Sequence, residues 1–225
     1  MNDSPCFGDL LQPYLRQKSN RALLVRLKKK QNLYMVGDRD DYTYLISSGH
    51  VKTVALTQSG KGALLGVYSK GDIVGESCLL TTDRQETATA MSDVLAYKIQ
   101  RRGFLEALTQ YDMFEAYLRY LAGRLSEQQQ YMTFLVTCDS EQRLAASLLR
   151  LASKNGAQQS GWVLIDQKLT HEELAAMVGT TRSRIGFFLK RLRENSLVGA
   201  TSDSRLAIHR ERLSSYLELS TLEAS

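Results

Sequence analysis

The segment LTHEELAAMVGTTRSRIGFFLKRLRE, from Leu169 to Glu194, constrains this chain more than any other stretch. Thr170 and Glu173 stand three apart ahead of an apolar run. That is the spacing of a capping box, in which the hydroxyl caps the helix and the carboxylate reaches back to the cap amide. A helix through Leu174, Ala175, Ala176, Met177 and Val178 stops at Gly179, which supplies a turn. Thr181 restarts a second helix, along which Ile185, Phe188, Leu189 and Leu192 recur at helical spacing. A small Ala175, a turn glycine and a branched Ile185 are what two helices crossing steeply over a tight turn require, which is helix-turn-helix arithmetic. Charge gives independent support: Arg182, Arg184, Lys190, Arg191 and Arg193 fall between Gly179 and Arg193 with no acid among them. Basic residues on the first turn of such a helix reach base edges of a duplex, and those on later turns reach phosphates. The alternative is an ordinary helical hairpin with a solvated basic face.

Behind this segment come LVGA (Leu197 to Ala200), a polar turn at Ser202, Asp203 and Ser204, and RLAIH (Arg205 to His209). Two short strands around a tight turn make a hairpin, so the region reads as a winged helix with Arg205 as a phosphate contact or as a lone exposed arginine. Upstream, Phe114, Leu118, Leu121, Leu125, Gln128, Met132 and Leu135 follow at alternating spacings of four and three. This is a heptad seam of about three repeats, read as a two-stranded dimer interface, or else as one long helix lying on its own barrel. Gln128 interrupts the seam and serves register or a polar contact. Asp139 or Ser140, after Cys138, caps a further helix from Glu141 to Ser153 with Leu144, Leu148 and Leu151 on one side. A domain boundary is expected near 138.

From Leu33 to Ile99 the pattern changes to short β-rich runs, YTYLIS (Tyr42 to Ser47), VKTVALT (Val51 to Thr57) and VLAYKI (Val94 to Ile99). They are separated by Gly37, Gly49, Gly60, Gly62, Gly66 and Gly71, as in a small barrel, roll or sandwich. The first 30 residues carry a weak helical pattern ending in Lys28, Lys29 and Lys30. With 225 residues, 43% apolar and 24% charged, disordered and fibrous classes are excluded. No run approaches the length of a membrane-spanning helix and the start lacks a signal pattern, so a cytoplasmic protein without membrane partners is expected. Cys6, Cys78 and Cys138 are scattered and fit neither disulfides nor a metal site. His50, His171 and His209 are equally scattered. No nucleophile elbow or Walker loop occurs, so an enzyme has little support. The net charge of +5 permits a polyanionic partner.

The layout resembles the cyclic-AMP receptor protein and fumarate-nitrate regulator (CRP/FNR) superfamily of bacterial transcription factors. The resemblance runs from about Leu23 to His209. It rests on Gly37-Asp38, YLISSGHVK (Tyr44 to Lys52), the run Gly71-Asp72-Ile73-Val74-Gly75-Glu76, Arg143-Leu144-Ala145 after the hinge, and the Leu169 to Glu194 segment. It implies an α+β chain with a cyclic-nucleotide-binding-like β-roll (a double-stranded β-helix) over 1–110, a dimerisation helix over 111–137 and a winged helix-turn-helix domain over 138–225. The partners implied are a second copy, double-stranded DNA with a two-fold symmetric operator, and RNA polymerase.

Carried over residue by residue, Arg182 stands where the family grips a guanine and a phosphate. Ser183 stands in place of a base-reading glutamate, and Phe187 in place of a base-reading arginine. Ser183 and Arg184 are further candidates for base contact, Thr180, Thr181, Lys190 and Arg191 for phosphate contact. The family's phosphate-binding cassette falls at Gly75, Glu76, Ser77 and Cys78, but the position expected for its arginine holds Glu86, followed by Thr87. A carboxylate at ~4 Å from a phosphate, at an effective dielectric near 20, repels by about 4 kcal/mol, which disfavours cyclic AMP. Arg84, of the same strand parity, substitutes if the loop is shorter than usual. Gln128 and Gln129 stand where the family touches adenine, or form a polar layer that sets register. An iron–sulfur sensor needs four clustered cysteines, and haem would have only His50 in the β half. No cofactor is therefore assigned. The competing function is a cyclic-nucleotide-binding signalling module whose C-terminal helices serve protein contacts.

Overall fold

The computed structural model describes residues 7–15, 22–56, 62–155, 158–159 and 161–222. Cys6, Thr57 and Gly60 lie outside the described residues. The chain divides into two compact units, 1–126 and 127–225, and the division falls inside the long helix.

In the first unit α1 (Phe7–Leu15) precedes eight strands: β1 (Leu23–Leu27), β2 (Asn32–Tyr34), β3 (Tyr42–Ser48), β4 (Val51–Leu56), β5 (Gly62–Tyr68), β6 (Ile73–Val74), β7 (Thr87–Ala90) and β8 (Val94–Gln100). They form two antiparallel four-stranded sheets, β1-β8-β3-β6 and β2-β7-β4-β5. Alternation decides which side chains face inward: Val51 and Thr53 of β4 are buried while Lys52 and Val54, which alternate with them, are less so. Tyr34, Tyr44, Ile46, Val51, Val74, Ala88, Val94 and Ala96 come from both sheets and share one core, which makes the pair a roll. A second core closes one end of the roll. Leu45, Ile73 and Ile99 of the strands meet Phe7 and Leu11 of α1, Phe104 and Leu108 of α2 (Arg101–Gln110), and Tyr117 near the start of α3 (Phe114–Thr137). The Lys28 to Lys30 run ends no helix. It follows β1, and Lys30 adopts a φ of 75° in a turn whose N–H donates to Ala90 O at 2.8 Å.

The second unit holds the end of α3, then α4 (Ser140–Asn155), β9 (Gln158–Gln159), β10 (Trp162–Leu164), α5 (His171–Val178), α6 (Arg182–Glu194), β11 (Val198–Ala200), β12 (Leu206–His209) and α7 (Arg210–Leu222). Asp139 is the cap of α4. Its carboxylate accepts from the N–H groups of Glu141 and Gln142, both at 2.8 Å, and the Gln142 side chain returns a bond from the Asp139 N–H. Leu144, Leu148 and Leu151 face inward as their spacing predicts. The wing is larger than a hairpin: β11 and β12 extend into a four-stranded sheet, β11-β12-β10-β9, in which Val163 pairs with Ile208.

Candidate nucleic-acid interface and the ligand cassette

The recognition unit is assembled by local chemistry. Thr170 Oγ1 accepts from Glu173 N–H at 3.1 Å while the Glu173 carboxylate accepts from Thr170 N–H at 2.9 Å, so both halves of the capping box are present. Gly179 ends α5 at φ 72°, a left-handed conformation that favours glycine. Thr181 Oγ1 then caps α6 by accepting from Arg184 N–H at 3.4 Å. Ile185, Phe188, Leu189 and Leu192 bury one stripe of α6, and Leu174, Ala175, Met177 and Val178 do the same for α5. Two further ties fix the end of α5: Arg143 Nε donates to Val178 O at 3.0 Å, and the Tyr131 hydroxyl donates to Met177 O.

α6 leaves Arg182, Ser183, Arg184, Phe187, Lys190, Arg191, Arg193 and Glu194 exposed, with Thr181 at its cap and Thr180 half-buried beside the turn. Its first turn carries no acid. Free N–H groups, the positive end of the helix dipole and two guanidiniums therefore coincide there, an arrangement suited to a polyanion. Among the described residues Arg182 and Arg193 enter no ion pair, and Arg184 lies 5.5 Å over the Phe188 ring. Phe187 is 60% exposed, an apolar side chain held out beside the cationic turn.

Three expected phosphate contacts are engaged within the chain, Lys190 only through an exposed pair with Glu194 at 3.9 Å. Arg191 grips the buried carboxylate of Glu141. Arg205 Nε donates to Asp203 at 2.8 Å, and Asp166 stands 4.0 Å from the same guanidinium. A hydrogen bond from Thr201, with Arg205 beside it, holds the Asp203 carboxyl below its usual range. Glu141 lies fifty residues from Arg191 in sequence, so spacing alone could not show that pair.

Along α3 the heptad seam faces outward. Leu118 is 62%, Leu125 56% and Met132 64% exposed, Phe114, Gln128 and Leu135 are also exposed, and Leu121 is half-buried. Gln129 is exposed on the same helix.

The cassette of the roll begins at Gly75, whose φ is 83° and where an added Cβ would stand only 2.9 Å from Arg84 Nη1, so that a side chain is disfavoured. Glu76, Ser77, Cys78 and Leu79 follow as one short 3-10 turn instead of a full helix start. Arg84, with its side chain 1% exposed, points into this turn. Nη1 donates to Gly75 O at 2.8 Å and approaches Ser77 Oγ at 3.5 Å, Nη2 pairs with Asp40 and Tyr42 O, and the guanidinium lies 4.1 Å over the Tyr34 ring. Arg84 and not Glu86 therefore points into the turn, and Glu86 stands at the hydroxyl of the same Tyr34 ring. It accepts from the Tyr34 hydroxyl at 2.8 Å, with Thr87 beside it opening β7 and its hydroxyl accepting from Val36 N–H at 3.1 Å. From α3 the residue that reaches the cassette is Arg124, which the sequence analysis did not single out. It pairs with Glu76 at 3.0 Å and donates to Ile73 O at 3.1 Å and to the Tyr68 hydroxyl at 2.8 Å. Burial pushes the Tyr34, Tyr68 and Tyr120 hydroxyls up, that of Tyr120 to about 12, so all three remain neutral at physiological pH. Among the described residues no group of three or more His, Cys, Asp or Glu could hold a metal ion, and no helix is long and apolar enough to cross a membrane.

A β-roll with a ligand cassette followed by a helix-turn-helix unit with a cationic second helix defines a two-domain regulator of transcription. Comparison with known proteins agrees in both halves. Residues 24–111 match the cyclic nucleotide-binding domain family and 142–220 the Crp-like helix-turn-helix domain family. The chain is 28% identical over 191 residues to the CRP-like cAMP-activated global transcriptional regulator of Mycobacterium tuberculosis, covering 84% of this chain and 85% of that one. It is 25% identical over 189 residues to the anaerobic regulatory protein of Bacillus subtilis, covering 82% and 79%. Among solved structures it is similar to a CRP-family transcriptional regulator from Thermus thermophilus, with TM-score 0.70 and 26% identity over 84% of this chain and 94% of the other. It shares the fold of a CooA mutant from Carboxydothermus hydrogenoformans, with TM-score 0.76 and 21% identity over 96% and 97%. The chain belongs to the CRP/FNR superfamily of transcription regulators.

Proposed function

We propose that this regulator works as a homodimer in the cytoplasm, reads a palindromic operator with one α6 per half-site, and acts on RNA polymerase without an enzymatic activity of its own. The observation that carries the reading is the exposed, acid-free first turn of α6 with Arg182, Ser183 and Arg184 on it. The apolar seam exposed along α3 supports pairing with a second copy, because single surface helices do not keep a heptad row of leucine and methionine in water. Half-sites then lie one helical turn apart, ~34 Å centre to centre. Binding-site selection from random duplexes, together with sedimentation of the free protein, tests both parts. An enriched inverted repeat and a dimer are expected; a monomer, or equal affinity for every duplex, overturns the reading.

The roll is proposed as a sensor that does not hold cyclic AMP in the arrangement described. Arg84 does reach the cassette, two residues before the expected position, but Asp40 and two carbonyls already hold its two Nη groups, and only the buried Nε is left without a hydrogen-bond partner among the described residues. Around the cassette two guanidiniums, Arg84 and Arg124, face three carboxylates, Asp40, Glu76 and Glu86. A cyclic phosphate adds a further negative charge to a site that has none to spare, and so fits only by separating an ion pair.

A further inference from the structure

Glu141 lies on the first turn of α4 with its side chain 4% exposed, and both of its oxygens meet the fork of Arg191. Arg191 Nε donates to Oε1 at 2.8 Å and Nη2 closes on Oε2. The Tyr216 hydroxyl of α7 hydrogen-bonds both groups. Three helices thus converge on one ion pair. A bidentate guanidinium and carboxylate fix angle as well as distance, which a single point charge does not. The start of α4 is itself held by the Asp139 cap and by Arg143, whose guanidinium bonds Leu135 O at 3.3 Å and Cys138 O at 3.2 Å on one side and Val178 O on the other. Whatever sets the direction of α4 at this hinge therefore also sets the rotation of α6, and with it the heading of Arg182, Ser183 and Arg184 two to three turns earlier.

We infer that Glu141 and Tyr216 clamp α6 through Arg191, so that Arg191 and Glu141 are positioning residues for duplex reading and Arg191 is not a phosphate contact. The inference rests on the operator-reading function proposed above. An arginine on phosphate adds affinity for every sequence and steepens the salt dependence. A clamp adds preference for the operator and leaves the salt dependence alone.

Three full-length variants separate the two: Lys190→Gln, Arg191→Gln and Glu141→Gln, each titrated across a salt series against the selected operator and against an unrelated duplex of equal length. Lys190→Gln is expected to weaken both duplexes and to make the log–log salt slope shallower by about 1. Arg191→Gln and Glu141→Gln are expected to keep the parental slope and the affinity for the unrelated duplex while losing about tenfold of the operator preference. Hydrogen exchange on the DNA-free proteins reads the clamp without DNA: α6 amides exchange faster in Glu141→Gln than in the parent, and α5 amides do not. The clamp is overturned when Arg191→Gln behaves like Lys190→Gln and Glu141→Gln keeps its preference, or when α6 exchange in Glu141→Gln is unchanged. A parent with no operator preference overturns the DNA-reading function instead, and the exchange experiment still decides the clamp.

Discussion

Replacing Asp40 with alanine isolates the guanidinium of Arg84 at the heart of the cassette. Asp40 is 19% exposed in its side chain and Arg84 1%, so the carboxylate sits at the rim and the cation inside it. Removing one partner of a buried pair costs about 3–5 kcal/mol, because the remaining charge keeps its desolvation penalty. Two features of the site place the value within that range. Gly75 O and Tyr42 O still accept from the guanidinium, which limits the loss. The Asp40 carboxylate also accepts from Tyr42 N–H at 3.2 Å, so alanine removes a second, weaker bond of about 1 kcal/mol. A total of about 4 kcal/mol divided by a urea slope of roughly 2 kcal/mol/M moves the unfolding midpoint of the roll down by roughly 2 M. Asp40→Asn keeps an acceptor and loses about half as much. The double variant Asp40→Ala with Arg84→Met recovers most of the loss, since an apolar pair replaces an unpaired charge.

The chain has one tryptophan, Trp162, in the C-terminal unit. Far-UV circular dichroism therefore follows both units, and tryptophan fluorescence supplies a transition that should stay in place. Protein concentration is held equal throughout, because association shifts apparent stability. Circular dichroism midpoints for Asp40→Ala within 0.5 M of the parent, a margin of roughly 1 kcal/mol at that slope, would refute the view that Arg84 is a buried cation dependent on this carboxylate.

Arg182→Ala should weaken operator binding roughly tenfold to hundredfold in competition gel shifts, as loss of a base-contacting arginine does; an unchanged operator affinity sinks its role. Thr170→Ala should cost about 1 kcal/mol through the lost cap, and Gly179→Ala about 1–2 kcal/mol through the left-handed turn, both read from the Trp162 urea transition. Unchanged transitions would mean that the α5 ends do not matter to the unit. Burial pushes the Cys78 thiol up to about 11, which keeps it protonated and slow toward iodoacetamide at pH 8, so Cys138 should label before Cys78. Because the folded value lies above the unfolded one near 9, this thiol lowers stability as pH rises from about 9 to about 11, an effect that Cys78→Ser removes.

The second unit was legible in the sequence because its signals are local. Thr170, Glu173, Gly179 and Thr181 each act within four residues, and every one occupies the place its spacing predicts. The strands β9 and β10 were not legible, since runs of two and three residues are too short to show alternation. Glu141 and Arg191 lie fifty residues apart, and charge counting along α6 therefore treated a clamped arginine as free. The cassette shows a different failure. Parity arguments compare Arg84 with Glu86 as if both sat on one regular strand, yet β7 begins only at Thr87. In the preceding turn the backbone direction changes residue by residue, and Arg84 enters the roll while Glu86 meets the Tyr34 hydroxyl.

The charge balance of that cassette makes its own prediction about ligands. Asp40 occupies Arg84 as an internal anion, so an incoming phosphate competes with a carboxylate that is already in place and loses no freedom on binding. Binding by native protein should therefore raise its apparent melting temperature by less than 1 °C at 100 μM cyclic AMP, roughly the shift expected for a ligand far below its Kd. Asp40→Asn removes the internal competitor and one of the three carboxylates while leaving Gly75, Ser77 and Arg84 untouched. In that variant the same concentration of cyclic AMP should raise the melting temperature by several degrees relative to its own ligand-free value. Calorimetric titration of both proteins separates binding from any change in baseline stability. Tight binding of cyclic AMP by the parent would show that the Arg84–Asp40 pair yields readily to phosphate. Failure of Asp40→Asn to gain affinity would show that Glu76 and Glu86, not Asp40, set the barrier to an anion.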